Sequence, residues 1–597
     1  MSSRHFIDDP THLVATALRS LTLTNPHVAF DAEHKIVYRR ASSYAAPPQV
    51  ALVAGGGSGH EPSFAGMVGP GMLSAAVAGT LFASPSAEQV RRALASRVDS
   101  ARGVVVVVMN YTGDVLNFGM AVEKARAAGI AAEMVVVGDD VGVGRAQAGK
   151  VGRRGIAGTV LVLKIAGALA ARGGRLEDVA KVARLAAENI VSVGASLEHV
   201  HVPGRAEEGE DERASSASGL ARGEVEIGMG IHNEPGCEKA RLALPQLVAR
   251  MLAQLLDGSD KDRAFLTVNS NEVVLLVNNL GGVSALEMGG ITAEVVAQLR
   301  ATYGIRPVRV IAGTFMTSLN GMGFSVSLLN VVNTSVEGAA PNMVELLDAP
   351  SEVTGWSAPI QKTTWEAATG RGGQEETERE EAAAETVQDI KLSGLKHDPS
   401  VAKEALTAAL KSVIAAEPDV TRYDTVVGDG DCGIGLKRGA EAILKHLDQH
   451  PFTGDLVVDV AGIVPVVENT MDGTSGALYA IFLNALVHAL RTRSPGEARP
   501  QLWAAALQQS VDALSRYTPA RPGDRTLVDA LSPFVETLAR SGDVGQAAQA
   551  SRAAADATKG MKASLGRSVY VGGSGYEEVP DPGAWGLACF FQGLAGN

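Results

Sequence analysis

Short continuous runs of apolar residues recur through the first half of the chain: Val50–Val53, Val104–Val108, Met134–Val137, Leu161–Leu163, Val273–Val277 and Val308–Ile311. Most are bounded on at least one side by Gly, Asn or Asp, and stretches of helical periodicity lie between most of them. Runs of this length and punctuation predict strands. Continuous rather than alternating apolar strands are expected where helices cover both faces of a sheet, so the first half reads as α/β. Beyond Asp389 the apolar positions fall into a helical period. Ser400–Ala416, Gly433–His446, Ala477–Leu490, Leu502–Tyr517, Val544–Met561 and Ala584–Leu594 predict helices, and strand-like runs become rare. The second half reads as all-helical, with its polar motifs on the loops.

Two polar stretches break the pattern. AEEGEDERASSASG, at 206–219, reads as a surface loop or an exposed excursion within the fold. ATGRGGQEETEREEAAAETVQ, at 368–388, carries a run of glutamates and no apolar periodicity. Such a composition cannot bury enough surface to offset the entropy of ordering, and it reads as an interdomain linker. A length of 597 residues is also too great for one hydrophobic core.

Composition adds modest constraints. The 67 glycines and 4% aromatics suit an α/β protein with tight loops and helices packed on alanine. Lys and Arg number 53 against 66 Asp and Glu, a net charge of −13. No basic field draws in nucleic acid or an anionic membrane, so neither is an expected partner. A bound phosphate must be held by local devices: backbone amides, a metal or single arginines. The three cysteines, Cys237, Cys432 and Cys589, are far apart and odd in number, which supports neither a disulfide framework nor a zinc site. The first ten residues hold no apolar signal segment, and Val104–Met109 is too short to span a bilayer. A cytoplasmic location is the expectation.

Four motifs carry candidate chemistry. The glycine-rich Gly55-Gly56-Gly57-Ser58-Gly59-His60 follows the strand Val50–Val53, and lets backbone approach a ligand with His60 at the loop end; a tight turn with an incidental histidine reads the same. Met109-Asn110-Tyr111-Thr112-Gly113-Asp114 ends another strand, where open α/β sheets bind ligands, although Asp114 also suits a helix N-cap. In Gly228-Met229-Gly230-Ile231-His232-Asn233-Glu234 a loop histidine, fixed by Asn233 or Glu234, can attack a carbonyl carbon or simply bond its neighbours. The sharpest motif places Asp424, Asp429 and Asp431 within eight positions, on a loop leading into a helix. Hard carboxylate oxygens suit Mg²⁺, with a solvated acidic turn as the bland alternative. An EF-hand is excluded, since its twelfth position would be Gly435 or Ala440 rather than glutamate. Asn469–Ala477, Pro522–Leu527, Leu565–Ser568 and Asp581–Ala584 are further loops of the phosphate-seat or turn type, and Arg525 and Arg567 are candidates for holding phosphate charge.

In order along the chain, GGGSGHEPSFAG, NYTGDVLNFG, GMGIHNEPG, VGDGDCG, DGTSGALY, PGDRTLVDAL and DPGA resemble the single-chain ATP-dependent dihydroxyacetone kinases, or triokinases. The resemblance implies a multidomain chain. An N-terminal α/β K-type substrate region spans 1–345, as two subdomains meeting at about 190–200. A linker spans 346–395, and an all-α L-type helical barrel that binds ATP spans 396–597. It implies that His232 binds the substrate carbonyl as a hemiaminal, that His60 and Asp114 handle the proton of the attacking hydroxyl, and that Gly57, Ser58, Gly59, His60, Met109 and Asp114 line the substrate. Family members commonly carry lysine where Met109 stands, which implies altered affinity or preference. Asp424, Asp429 and Asp431 match Mg²⁺ ligands, with Mn²⁺ as an alternative ion. Asp429, Gly430, Asp431, Cys432, Thr474, Ser475, Thr526, Leu527, Arg567, Asp581, Pro582 and Gly583 match the ATP site. Phosphorylation of dihydroxyacetone or glyceraldehyde by a homodimer is the implied function. The alternatives are cyclising cleavage of FAD, or a nucleotide-bound regulatory or phosphotransfer component.

Overall fold

The computed structural model describes residues 5–7, 9–40, 48–203, 220–268, 272–335, 342–358, 360–365, 392–471, 473–565 and 576–596. The polar stretches 206–219 and 368–388 and the candidate Arg567 lie outside the described residues. The chain divides into two compact units, Met1–Glu375 and Glu376–Asn597.

In the first unit, α1 (Pro10–Thr24) precedes a six-stranded sheet of β1 (Val28–Asp31), β2 (Ile36–Arg39), β3 (Ala51–Ser58), β4 (Ala75–Leu81), β5 (Val104–Met109) and β6 (Ala132–Val137), in the order β1-β2-β4-β3-β5-β6. Strands β4, β3, β5 and β6 are parallel, while β1 and β2 add an antiparallel edge. β5 shows why its valines form an unbroken run. Val104, Val106 and Val108 pack with α2 (Ala87–Ser96) and α3 (Thr112–Ala127), and Val105, Val107 and Met109 face the opposite core. Alternate residues of a strand point to opposite faces, so burial on both sides demands apolar residues at every position.

Beyond the short α4 (Arg145–Ala148) come α5 (Thr159–Ala171) and α6 (Leu176–Glu188). The second sheet then has β7 (Ile190–Ser196), β8 (Val225–Ile227), β9 (Glu238–Ala240), β10 (Val273–Asn279), β11 (Arg309–Gly313) and β12 (Gly323–Asn330), in the order β11-β10-β12-β7-β8-β9. Only its β10–β11 pair is parallel. α7 (Leu244–Leu256) and α8 (Ala285–Tyr303) pack on one face. Its other face shares a core with the first sheet: Leu52 and Val105 from one, Leu276 and Leu329 from the other, with Val160 and Leu163 of α5 and Leu346 of α9 (Met343–Leu347) in the same cluster. The run Leu161–Leu163, predicted as a strand, is therefore helical. Every residue of α5 from Thr159 to Ala170 is buried, and a helix that is apolar all round has no stripe to betray its period.

The second unit contains α10 (Pro399–Val427), α11 (Cys432–Gln449), α12 (Leu456–Thr470), α13 (Gly473–Arg491), α14 (Pro500–Leu514), α15 (Val528–Ser541), α16 (Val544–Ala557) and α17 (Pro582–Leu594). Each packs on the next, and α17 closes the ring on α10. The result is a helical barrel around an apolar space of about 890 Å³, lined by residues such as Leu410, Ile443, Leu483, Phe534 and Phe590. α12 and α15 escape the pattern reading. Each carries an internal proline, Pro465 or Pro533, and the valines of α12 read like a strand.

Candidate functional site

In the first unit the glycine-rich motif ends β3, and Gly59, with φ +107°, turns the chain so that His60 follows. A Cβ on Gly59 would lie 2.6 Å from the Phe82 ring, so only glycine fits both the dihedral and the space. Ser58 donates to the Gly79 carbonyl at 2.9 Å, fixing the end of the loop. His60 is fully buried, and its Nδ1 meets the Thr317 carbonyl at 2.8 Å. A carbonyl only accepts, so Nδ1 carries the proton and Nε2 points the other way.

His60 Nε2 faces His232 Nε2 at 3.0 Å, from a loop that follows β8 in the other sheet. His232 Nδ1 lies 2.9 Å from Glu234 Oε1, and the His232 backbone N–H donates to Glu234 Oε2 at 2.9 Å. Burial raises the Glu234 carboxyl, but these hydrogen bonds and the imidazole outweigh it and bring its pKa down to about 2. Glu234 is thus an anion, and Nδ1 of His232 is a donor as well. With both Nδ1 atoms protonated, the 3.0 Å contact between the two Nε2 atoms accommodates a single proton. Burial, then the neighbouring His232, push the His60 pKa down to about 3, so His60 is a neutral ring at physiological pH.

Asp114 joins the pair from the third position of α3 rather than from its N-cap, which is Tyr111. It is buried, and its Oδ1 has no hydrogen-bond partner among the described residues. Burial raises its pKa, opposed by a Ser84 hydrogen bond and by His232. Gly56 exposes backbone beside it: a Cβ there would be 3.7 Å from Asp114 Oδ2. Phe82 stacks on His60 with centroids 5.3 Å apart, and both Phe82 and Tyr111 set a ring edge-on to His232, at 5.2 and 4.8 Å. Met109, expected at the substrate, has 1% of its surface exposed and lies in the core shared by the two sheets. The backbone of Gly57 abuts Ala83, whose nitrogen would lie 2.8 Å from an added Cβ. Phe82 and Thr317 carried no sequence signal, because both act through distant loops.

In the second unit Asp424 lies in the last turn of α10, not on the loop as the motif suggested; Pro418 does not end that helix, which runs to Val427. Asp429 and Asp431 follow in the turn that opens α11. One carboxylate oxygen from each of the three lies within 4.8 Å of the others, with Asp424 buried and the other two exposed. Asp424 Oδ2 accepts from the Cys432 N–H at 2.9 Å, which anchors its carboxylate to the first residue of α11. Three hard, anionic donors converging on one point fit a divalent cation such as Mg²⁺. Gly430, at φ +79°, makes the turn between Asp429 and Asp431.

Around this cluster, Cys432 Sγ is 3.9 Å from Ser475 Oγ at the start of α13, with exposed Thr474 beside it. Burial and then Asp424 push the thiol up to about 12, so it stays neutral. The 522–527 loop is shaped by Asp529, which accepts from Gly523 N–H at 2.6 Å and Thr526 N–H at 2.7 Å. Leu527 reaches the Asp581-Pro582-Gly583 turn, since a Cβ on Gly583 would lie 3.5 Å from that of Leu527. Asp581 caps α17 through the Ala584 N–H at 2.8 Å, and burial lifts its pKa to about 7. Arg525 points elsewhere: it is 2% exposed and donates to the carbonyls of Met561 and Val579 at 2.9 and 2.8 Å, tying two loops together.

Residues 19–355 match the Dak1 domain and residues 426–596 match the DAK2 domain, so the chain belongs to the dihydroxyacetone kinase family. Among its relatives, it is 42% identical to the dihydroxyacetone kinase of Pichia angusta over 617 residues, which covers 100% of this chain and 98% of that protein. It is 32% identical to the human triokinase/FMN cyclase, covering 100% of this chain and 99% of that one. The crystal structure of the dihydroxyacetone kinase from C. freundii in complex with AMP-PNP and Mg²⁺ is similar over 100% of both chains, with 29% identity and a TM-score of 0.59.

Proposed function

We infer that this chain transfers the γ-phosphoryl group of ATP to dihydroxyacetone, with glyceraldehyde as a second acceptor, after capturing the triose on His232. The observation that carries this reading is the facing imidazole pair, with Glu234 behind one ring and the Thr317 carbonyl behind the other. A three-carbon sugar has few atoms for recognition, so a reversible covalent bond supplies affinity that contacts alone do not. It also rejects glycerol, which has no carbonyl.

The geometry gives a balanced capture step. The shared proton passes through His60 Nε2 to the carbonyl oxygen as His232 Nε2 bonds to the carbonyl carbon. The adduct keeps its Nδ1 proton as an imidazolium paired with Glu234, and His60 is left with a free Nε2 lone pair. His60, with Asp114, then takes the proton of the terminal hydroxyl as that oxygen attacks phosphorus in line. The unpartnered Asp114 Oδ1 is placed to orient that hydroxyl. Asp424, Asp429 and Asp431 would hold Mg²⁺, which neutralises phosphate charge when bound with ATP. The backbone amides at the starts of α13 and α17, with Thr474, Ser475, Thr526 and Leu527, would seat the nucleotide.

A coupled assay with ATP and Mg²⁺ against dihydroxyacetone, glyceraldehyde and glycerol tests the reading. Turnover of the trioses but not glycerol is expected, and His232→Ala should abolish triose capture while leaving ATP binding intact. Full activity of that variant at low triose would end the hemiaminal proposal. The likeness to the human triokinase/FMN cyclase favours one further reading: the same aspartates, loaded with Mn²⁺, would cleave FAD to a cyclic FMN, which incubation with FAD and Mn²⁺ reads directly.

A further inference from the structure

Beside Glu234 stands a cation that the capture step does not use. Arg154 lies in the loop between α4 and α5, and its side chain is 14% exposed. Its Nε donates to Asp140 Oδ2 at 2.9 Å, its Nη2 lies 2.7 Å from the same oxygen as an ion pair, and Nη2 donates to the Gly228 carbonyl at 2.7 Å. Asp140 is fully buried, and its other oxygen accepts from the Gly142 N–H at 2.8 Å. The guanidinium is therefore held rigidly by two fixed acceptors. Its remaining nitrogen, Nη1, points over Gly230. A Cβ at that residue would lie 2.6 Å from Arg154 Nη1 and 2.0 Å from Glu234 Oε2, so the two charges share one wall of the loop. A side chain at 230 would have to displace one of these two charged ends.

We propose that Arg154 is a positioning residue for the His232 nucleophile: clamped by Asp140 and the Gly228 carbonyl, it holds the Glu234 carboxylate where it fixes the Nδ1–H form of the imidazole. Glu234 alone is a flexible side chain on a loop, and among the described residues its hydrogen-bond partners lie within its own turn. Without an opposing charge it could swing toward the shared proton of the imidazole pair and trap it. Arg154 supplies a counter-charge, and Asp140 keeps Arg154 from following the carboxylate. The charged and titratable groups facing this loop are His60 from the end of β3, Tyr111 and Asp114 from the start of α3, Asp139 and Asp140 after β6, Arg153 and Arg154, and Glu226 of β8, which accepts from the Gly236 N–H at 2.8 Å and pairs with His199. Among them the guanidinium of Arg154 is the cation that meets Glu234 over Gly230, and the two act on each other through their charges. The inference rests on the covalent-capture reading above.

The test compares Arg154→Gln, Arg154→Lys and the double variant D140N/R154Q, which leaves no buried carboxylate without its partner. Removing a cation makes every neighbouring group easier to protonate. Arg154→Gln is therefore expected to move both limbs of the kcat/KM profile for triose to higher pH, and to lower kcat/KM at neutral pH at least tenfold, with the KM for ATP unchanged. Arg154→Lys keeps the charge but not the fork, so its limbs should stay in place while kcat/KM falls less. If the single Gln variant does not fold, the double variant should still show the upward shift, reduced in size. Capture is also read without ATP, from the carbon NMR signal of [2-¹³C]dihydroxyacetone as its carbonyl becomes tetrahedral. An adduct without phosphoryl transfer in the unaltered chain would sink the kinase reading yet leave this signal to report on Arg154. Limbs that superimpose on those of the unaltered chain, or no adduct in the unaltered chain at all, would overturn the inference.

Discussion

At the scale of single residues, the site depends on which atoms hold protons. Glu234 is the clearest case. Its folded pKa of about 2 lies below the ordinary carboxylate value of 4.5, so it contributes stability that is complete above 4.5 and is lost as pH falls toward about 2. Glu234→Gln should therefore lower the stability of the first unit at neutral pH by about 3 kcal/mol. The gap to the unaltered chain should close as the pH is lowered through that window, as followed by urea denaturation. A gap that stays constant with pH would mean that Glu234 acts through packing. In the second unit, Asp429→Asn removes one of three converging carboxylates. Mg²⁺-dependent nucleotide binding, measured by calorimetry, should weaken by about tenfold or more, on the order of 1.4 kcal/mol. The motifs singled out His60, Asp114, His232 and the aspartates because glycines and polar residues cluster around them. Thr317 and Phe82 were invisible to that reading, since a backbone acceptor and an aromatic wall need no particular neighbours in sequence.

Individual elements were legible to the degree that their burial was one-sided. β5 and β10 read correctly as strands because turn residues bound them, and α11 because its apolar stripe is clear; Leu436, Ala440, Ile443 and Leu447 are its buried face. α5 failed because total burial erases periodicity, and α12 and α15 because internal prolines imitate a break. The α10–α11 crossing has a sharper requirement. A Cβ on Gly433 would lie 2.3 Å from Thr421 Oγ1 and 2.7 Å from the Glu417 carbonyl, so the two helices meet backbone to backbone beside the aspartates. Gly433→Ala should force them apart, at a cost of about 1–3 kcal/mol, and should weaken divalent-ion binding along with it. Thermal melting and ion titration of one preparation check both; a lowered melting point with unchanged ion affinity would show that the crossing does not set the cluster.

The whole molecule carries its two candidate sites on two units, and each should respond to its own ligand. A ligand present at a hundred times its Kd stabilises the unit that binds it by about 2.7 kcal/mol. Calorimetry should therefore show ATP with Mg²⁺ raising the melting of the helical barrel, and dihydroxyacetone raising only the α/β unit, the latter shift vanishing in His232→Ala. The homodimer expected from the family likeness has its own test. Mixing His232→Ala chains with Asp429→Asn chains should restore part of the turnover if sites on different chains cooperate. The division into an α/β half and a helical half was legible because the hydrophobic period changes along the chain. The core shared by the two sheets was not, since periodicity records that a face is buried and never what it is buried against.

That common interior has an evolutionary corollary. The two imidazoles come from different sheets, and Leu52, Val160 and Leu276 lock those sheets onto one layer of helices. A genetic exchange cutting between α6 and β7 would leave each fragment with half a nucleophile and a stripped hydrophobic surface. Recombination among relatives of this chain can therefore be expected to trade the α/β unit only as an indivisible cassette, while the helical barrel, whose ring closes on itself, remains free to travel alone.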